Sequence, residues 1–156
     1  MKREPRGLYF EDFEIGQEIV SAGRTVTEAD IVNFAGLSGD FTELHMNKQY
    51  MEDGMFGKRI AHGLLVLSIA SGLAIQTNML DRTVMAFREL VNWKFSQPVY
   101  IGDTVRMEMR VSATKPMKRL GGGAVKLVAT VKNQDDITVQ SGKWNLLMYS
   151  RPAADD

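Results

Sequence analysis

The chain has 156 residues, the length of one ordinary domain and too short for two full-sized ones, and its 44% hydrophobic and 24% charged residues with 14 Gly and 4 Pro exclude a collagen, a coiled coil or a disordered chain. Basic and acidic residues balance at 19 each, so there is no electrostatic footprint for nucleic acid or an anionic membrane, and a discrete small ligand is the expected partner. No cysteine is present, which removes disulfides, thiolate nucleophiles, zinc fingers and iron–sulfur clusters and suits a reducing compartment.

Met1-Lys2-Arg3-Glu4-Pro5-Arg6 runs into Tyr9, Phe10, Glu11 and Asp12 without an apolar stretch, so no signal peptide is expected and the protein is placed in the cytoplasm. An early strand falls at about 18–26. Thr27 stands three residues before Asp30 and ahead of Ile31, Phe34 and Ala35, an N-cap and an apolar stripe that predict a helix over 28–37. Ser38-Gly39-Asp40 ends it, and 41–59 reads as loop with one helical turn around 48–51. Residues 60–80 carry no charge, but their apolar part, 64–75, has the length of a buried core helix and not of a membrane span. The helix expected from Gly63 to about Asn78 is apolar on nearly every side, and buried on most faces.

Strands follow at 84–95, 104–114, 124–132 and 138–149. In the second, Val105, Met107, Met109 and Val111 alternate with Arg106, Glu108 and Arg110, and Asn133-Gln134-Asp135-Asp136 is a hairpin turn between the last two. The triplet Gly121-Gly122-Gly123 lacks the Lys-Ser or Lys-Thr of a phosphate-binding loop and is read as a flexible strand end. Consecutive strands and one long helix predict an α+β architecture, an antiparallel sheet wrapped around a central helix, in a single domain over 1–156 with short flexible ends.

With two histidines in the chain, a general acid or base active near neutral pH is His45, His62 or a perturbed carboxylate. Asp40 and His45 share one loop, whose conformation can bring them together; taken alone, Asp40 equally suits a turn cap and His45 a surface polar group. His62 and Gly63 open the apolar helix, where unpaired backbone N–H groups and the positive dipole end suit a developing oxyanion. Gly63 equally suits close packing on the sheet, and His62 a hydrogen bond that orders the helix start. Ser68 and Ser71 have no nucleophile elbow. No metal-ligand spacing is recognised, so no metal is expected. Lys115, Lys118 and Arg119 form a small basic cluster on a loop, a candidate phosphate contact or a solvated turn.

Gly39-Asp40-Phe41-Thr42-Glu43-Leu44-His45, followed by Gly57-Lys58-Arg59-Ile60-Ala61-His62-Gly63-Leu64-Leu65, Ser71-Gly72-Leu73 and Phe95-Ser96-Gln97-Pro98-Val99-Tyr100-Ile101-Gly102-Asp103-Thr104, resembles the MaoC-like family of (R)-specific enoyl-CoA hydratases and dehydratases. The resemblance spans about 9–149. It implies a hot-dog fold, a curved antiparallel sheet around one long central helix, working as a homodimer or dimer of dimers on an acyl-CoA or acyl-carrier thioester with no resident cofactor. It also implies Asp40 and His45 as the catalytic pair, Gly63 as the amide that meets the thioester carbonyl, and Ser71 as a second polar group in the pocket. Thr42 and Glu43 stand where the family carries Asn and Pro, which bears on substrate choice more than on reaction class. A hot-dog acyl-CoA thioesterase and a non-catalytic acyl-binding subunit are the alternatives.

Overall fold

Side-chain alternation sets the sheet. Val105, Met107, Met109 and Val111 are buried, while Arg106 and Glu108 between them face outward and pair with each other, and Glu108 also takes Lys132 across the ladder. The protein, described by a computed structural model over residues 6–153, forms one six-stranded antiparallel sheet from β1 (Glu18–Val20), β2 (Arg24–Thr25), β3 (Val84–Phe95), β4 (Thr104–Met117), β5 (Gly122–Lys132) and β6 (Thr138–Tyr149). Residues 1–5, which carried part of the compartment reading, and 154–156 lie outside the described residues. The order is β1-β4-β5-β6-β3, with β2 also on β4, so β3 closes one side as an edge strand.

The helices are α1 (Glu28–Ser38), α2 (Glu43–Met46), α3 (Lys48–Glu52) and α4 (Gly63–Gln76). Thr27 and Asp30 cap α1 reciprocally, and Gly39 ends it at φ 79° in the left-handed region. α4 buries Leu65, Val66, Ile69, Ala70, Leu73 and Ala74 in the core shared with the inner face of the sheet. This is the α+β arrangement of a curved antiparallel sheet around one long helix. Among the described residues no helix is long and apolar enough to cross a membrane.

Several details differ from the sequence reading. The strand expected at 18–26 breaks in two, because the Ser21 hydroxyl accepts the Met107 N–H at 2.9 Å and replaces a ladder contact. α2 was missed, since four residues are too few to show a period. α4 is not buried all round: Leu64, Ser68, Ser71, Gly72 and Ile75 leave one exposed stripe that the subunit's own sheet does not reach. Lys115 belongs to β4, opposite Ala124, and Lys118 and Arg119 form a tight turn with Leu120. The glycine triplet does not end a strand loosely. Gly121 turns the chain at φ 68°, and Gly122 and Gly123 open β5 against Met148 and Phe10, where a Cβ would lie 1.9 Å and 2.3 Å from the nearest atoms.

Candidate active site

Asp40, His45, His62 and Gly63 come together where the loop after α1 meets the start of α4. The approach to α4 is fastened first: Ile60 bridges Tyr100, and the Ala61 N–H donates to the Val99 carbonyl at 2.7 Å. The Pro98–Asp103 junction is held in turn by Gly102 at φ 97° and by the Asp103 carboxylate, which accepts the Tyr100 N–H at 2.8 Å. Arg59 grips Glu28 of α1 with two bonds of 2.9 and 2.5 Å and donates to the His45 carbonyl at 3.4 Å, tying this approach to the loop that carries Asp40 and His45.

His45 is buried at 7% exposure, and its Nδ1 lies 2.8 Å from the Ile60 carbonyl. A carbonyl only accepts, so Nδ1 carries the hydrogen and the neutral ring keeps its lone pair on Nε2. That Nε2 faces the Asp40 carboxylate at 3.7 Å. The gap is too long for a direct hydrogen bond, and a water oxygen about 2.8 Å from each atom fits at the apex of the pair. His62 stacks on His45 with ring centroids 3.8 Å apart, and Phe34 of α1 packs on His62 at 5.0 Å. The His62 Nε2–H donates to the Asp40 carbonyl at 3.0 Å. The ordering role considered for His62 is therefore what its contacts show, extended to the plane of the His45 ring.

Asp40 stays partly exposed at 41% of its side chain. The Thr42 hydroxyl and N–H donate to its Oδ1 at 2.9 and 3.2 Å, and these two bonds hold its carboxyl below the ordinary carboxylate range, with the nearby histidines adding a smaller pull in the same direction. Burial therefore does not make Asp40 a stronger base, and the ring lone pair of His45 that stays open is that on Nε2. The depressed group keeps its charge down through the usual carboxylate range and loses it only as pH falls further. Thr42→Val removes the hydroxyl donor, so the loss of Asp40 charge moves to higher pH. The acid limb of the activity profile is expected to move up in Thr42→Val and to stay in place in Thr42→Ser; an unmoved limb in Thr42→Val would show that Asp40 does not set it.

His45 and Gly63 line an apolar cavity of about 630 Å³ with Leu44, Phe56, Phe95 and Gln140 among its walls. Gly63 is the first residue of α4, where an N–H has no partner within the helix. Its packing role is also observed, since a Cβ there would lie 2.7 Å from the Phe95 ring. Asp40 is not on the cavity wall and reaches it through His45.

Ser71 is exposed two turns along α4, about 12 Å from Gly63 at 1.5 Å per residue, and does not line this cavity. Lys115, Lys118 and Arg119 are not brought to it either. They sit at the Gly122–Tyr149 end of the sheet, roughly 30 Å along β6 from Gln140 at about 3.3 Å per residue. The ligand-type atoms of Asp40, His45 and His62 do converge, within 4.8 Å of one another, where the sequence reading saw scattered groups.

A family model described as MaoC like domain matches residues 12–133. The chain belongs to the MaoC-like family. MaoC-like relatives include an (R)-specific enoyl-CoA hydratase from Rhodospirillum rubrum, 37% identical over 71% of this chain and 74% of that protein. Protein MaoC from Klebsiella aerogenes is 41% identical over 67% of this chain, which spans 31% of that longer protein. The fold is the hot dog. A Mycobacterium tuberculosis protein described as having a double hot-dog fold superposes with a TM-score of 0.82 at 21% identity, over 99% of this chain and 48% of that one.

Sequence reading missed Gln140, Phe34, Arg59 and the bond from Thr42 to Asp40. Gln140 alone left a mark in the sequence, as an amide inside an otherwise apolar strand.

Proposed function

We propose that this MaoC-like protein adds water reversibly across the double bond of a 2-enoyl-CoA thioester, giving an (R)-3-hydroxyacyl-CoA, and runs the reverse dehydration. The observation that carries the reading is the free Nε2 of His45, set 3.7 Å from an ionised Asp40 at an apolar cavity that the first amide of α4 also reaches. Water held by the pair gives a proton to His45 as its oxygen bonds to C3, and the π electrons move onto the thioester oxygen. The Gly63 N–H receives that negative charge, a contact typically worth about 3 to 4 kcal/mol of barrier. The enolate then takes the proton back from His45 at C2, so water is added and the histidine is restored. Asp40 orients the water and offsets the imidazolium charge. Proton transfer of this kind needs no resident metal or organic cofactor.

Among the described residues no Lys or Arg lines the cavity, so a carboxylate on the acyl group would be buried without a partner, at a cost of several kcal/mol. Uncharged acyl chains are the substrates this supports. A homodimer or dimer of dimers is part of the proposal. β3 presents an edge twelve residues long, and Phe87, Leu90 and Phe95 on it are 45%, 41% and 54% exposed. Of the apolar residues between 46 and 56, Met51 is buried, Met46 packs on the core and Phe56 lines the cavity, while Tyr50 and Met55 are exposed and open to a partner surface. The cysteine-free chain suits the cytoplasm.

Incubation with crotonyl-CoA tests the activity: loss of the enoyl absorbance without free thiol is expected. Thiol release with no hydroxyacyl product would replace the reading with a thioesterase, and no reaction on enoyl thioesters of several lengths would leave a binding subunit. Light scattering is expected to give at least twice the subunit mass.

A further inference from the structure

Gln140 is 2% exposed at the inner end of β6, on the wall of the cavity. An amide in such a place costs free energy unless its groups are bonded, and both ends of this one are. Its Nε2 donates to the Gly63 carbonyl at 2.9 Å, and its Oε1 accepts the Trp93 Nε1–H at 3.1 Å. The orientation is set by chemistry: an indole N–H only donates and a carbonyl only accepts, so the oxygen must face Trp93 and the nitrogen Gly63. Trp93 is itself seated where a Cβ on Gly142 would lie 2.7 Å from its ring.

The carbonyl that Gln140 holds and the amide that lines the active cavity belong to the same residue. Glycine restrains its own backbone least of all residues; the helix holds the peptide plane that carries the Gly63 N–H, because the His62 carbonyl of that plane accepts the Val66 N–H at 3.1 Å. The next plane, which carries the Gly63 carbonyl, is held from outside the helix as well, by the Gln140 bond, and the Phe95 ring lies against the Gly63 Cα between the two planes. Phe95 and Gln140 are register partners across β3 and β6, so both restraints come from one point of the sheet.

We propose that Gln140 is a positioning residue: its hydrogen bond to the Gly63 carbonyl, backed by Trp93, fixes the peptide plane after Gly63 and, together with the helix bond on the plane before it, the torsions that aim the Gly63 N–H into the cavity. This rests on the reading of Gly63 as the donor to the thioester oxygen. Misplacement of such a donor by a fraction of an ångström weakens a contact that matters most in the transition state, so turnover suffers before binding does.

The test is Gln140→Met, close in shape and unable to make either bond, with Trp93→Phe as the milder change that leaves the Gly63 bond in place. With crotonyl-CoA, kcat is expected to fall about ten- to a hundredfold in Gln140→Met with KM within about threefold of wild type, and to fall less in Trp93→Phe. Isotope-edited infrared spectroscopy of the bound enoyl thioester supplies the second readout. The carbonyl band, moved to lower frequency in the wild type, is expected to return part of the way toward its solution position in Gln140→Met. An unchanged kcat, or a lowered kcat with the carbonyl band where the wild type has it, would overturn the positioning role. If Gln140→Met does not fold, Gln140→Glu keeps the shape and the Trp93 bond but sets a carboxylate against the Gly63 carbonyl, and the same two readouts apply. A wild-type band at its solution frequency would instead remove the Gly63 donor reading, whatever the variants do.

Discussion

Asp40→Asn and His45→Ala are each expected to lower turnover of an enoyl thioester by roughly a hundredfold or more, with the fold intact. Asp40→Asn keeps size and the Thr42 bonds to Oδ1 but removes the charge that orients water and balances a protonated His45. His45→Ala removes the ring lone pair on Nε2 that the proposed step uses as proton acceptor, since Nδ1 is committed to the Ile60 carbonyl. It also takes away the ring on which His62 stacks. Because the two groups act on one water, the double variant should lose little more than the worse single one. Full additivity would mean that they serve separate steps, and wild-type rates in both singles would refute the site.

Gly122→Ala is expected to be the most damaging single methyl group in the chain. Its Cβ would stand 1.9 Å from the Met148 carbonyl oxygen, and backbone cannot turn aside as a side-chain tip can. The β5–β6 ladder must part locally, at a cost on the order of 3 kcal/mol or more, a large share of a typical domain's stability. Gly121→Ala is the control. Its Cβ meets nothing within 4 Å, so the left-handed φ of 68° is the whole penalty, about 1–2 kcal/mol. Urea unfolding compares them; equal midpoints would mean that the close approach at Gly122 relaxes at no more than the cost of the control's backbone strain.

Those two glycines also mark where the sequence stopped being readable. Their side-chain pattern says only that the region bends, whereas the demand on Gly122 comes from Met148, a strand away. The alternating residues 105–111 and the uncharged run from Gly63 were legible because their periods are local, and they gave the sheet and the helix nearly to the residue. The catalytic loop was legible as a motif: Asp40 and His45 meet at 3.7 Å. Their environment was not. Whether Asp40 is strengthened or weakened as a base depended on Thr42, read as bearing on substrate choice and found as a hydrogen-bond donor to the carboxylate. Ser71 went astray for a different reason. Its place on α4 was right, but facing is decided by which side of the helix the sheet covers, and an all-apolar helix gives no stripe to tell.

The strand order has a consequence for synthesis. α4 lies in the first half of the chain, while β4, β5 and β6, which build most of the sheet it packs against, are made afterwards. About 73 residues separate Gln76 from Tyr149, so at 5 to 20 residues per second roughly 4 to 15 seconds pass before the last of these strands exists. β3 waits about 54 residues from Phe95, roughly 3 to 11 seconds, because its partner β6 is the final strand. The meander β4-β5-β6 closes by short hairpins and can form without either of them. For those seconds the nascent chain carries its most apolar helix and its longest free edge together, and a chaperone at the ribosome exit meets both before the sheet does.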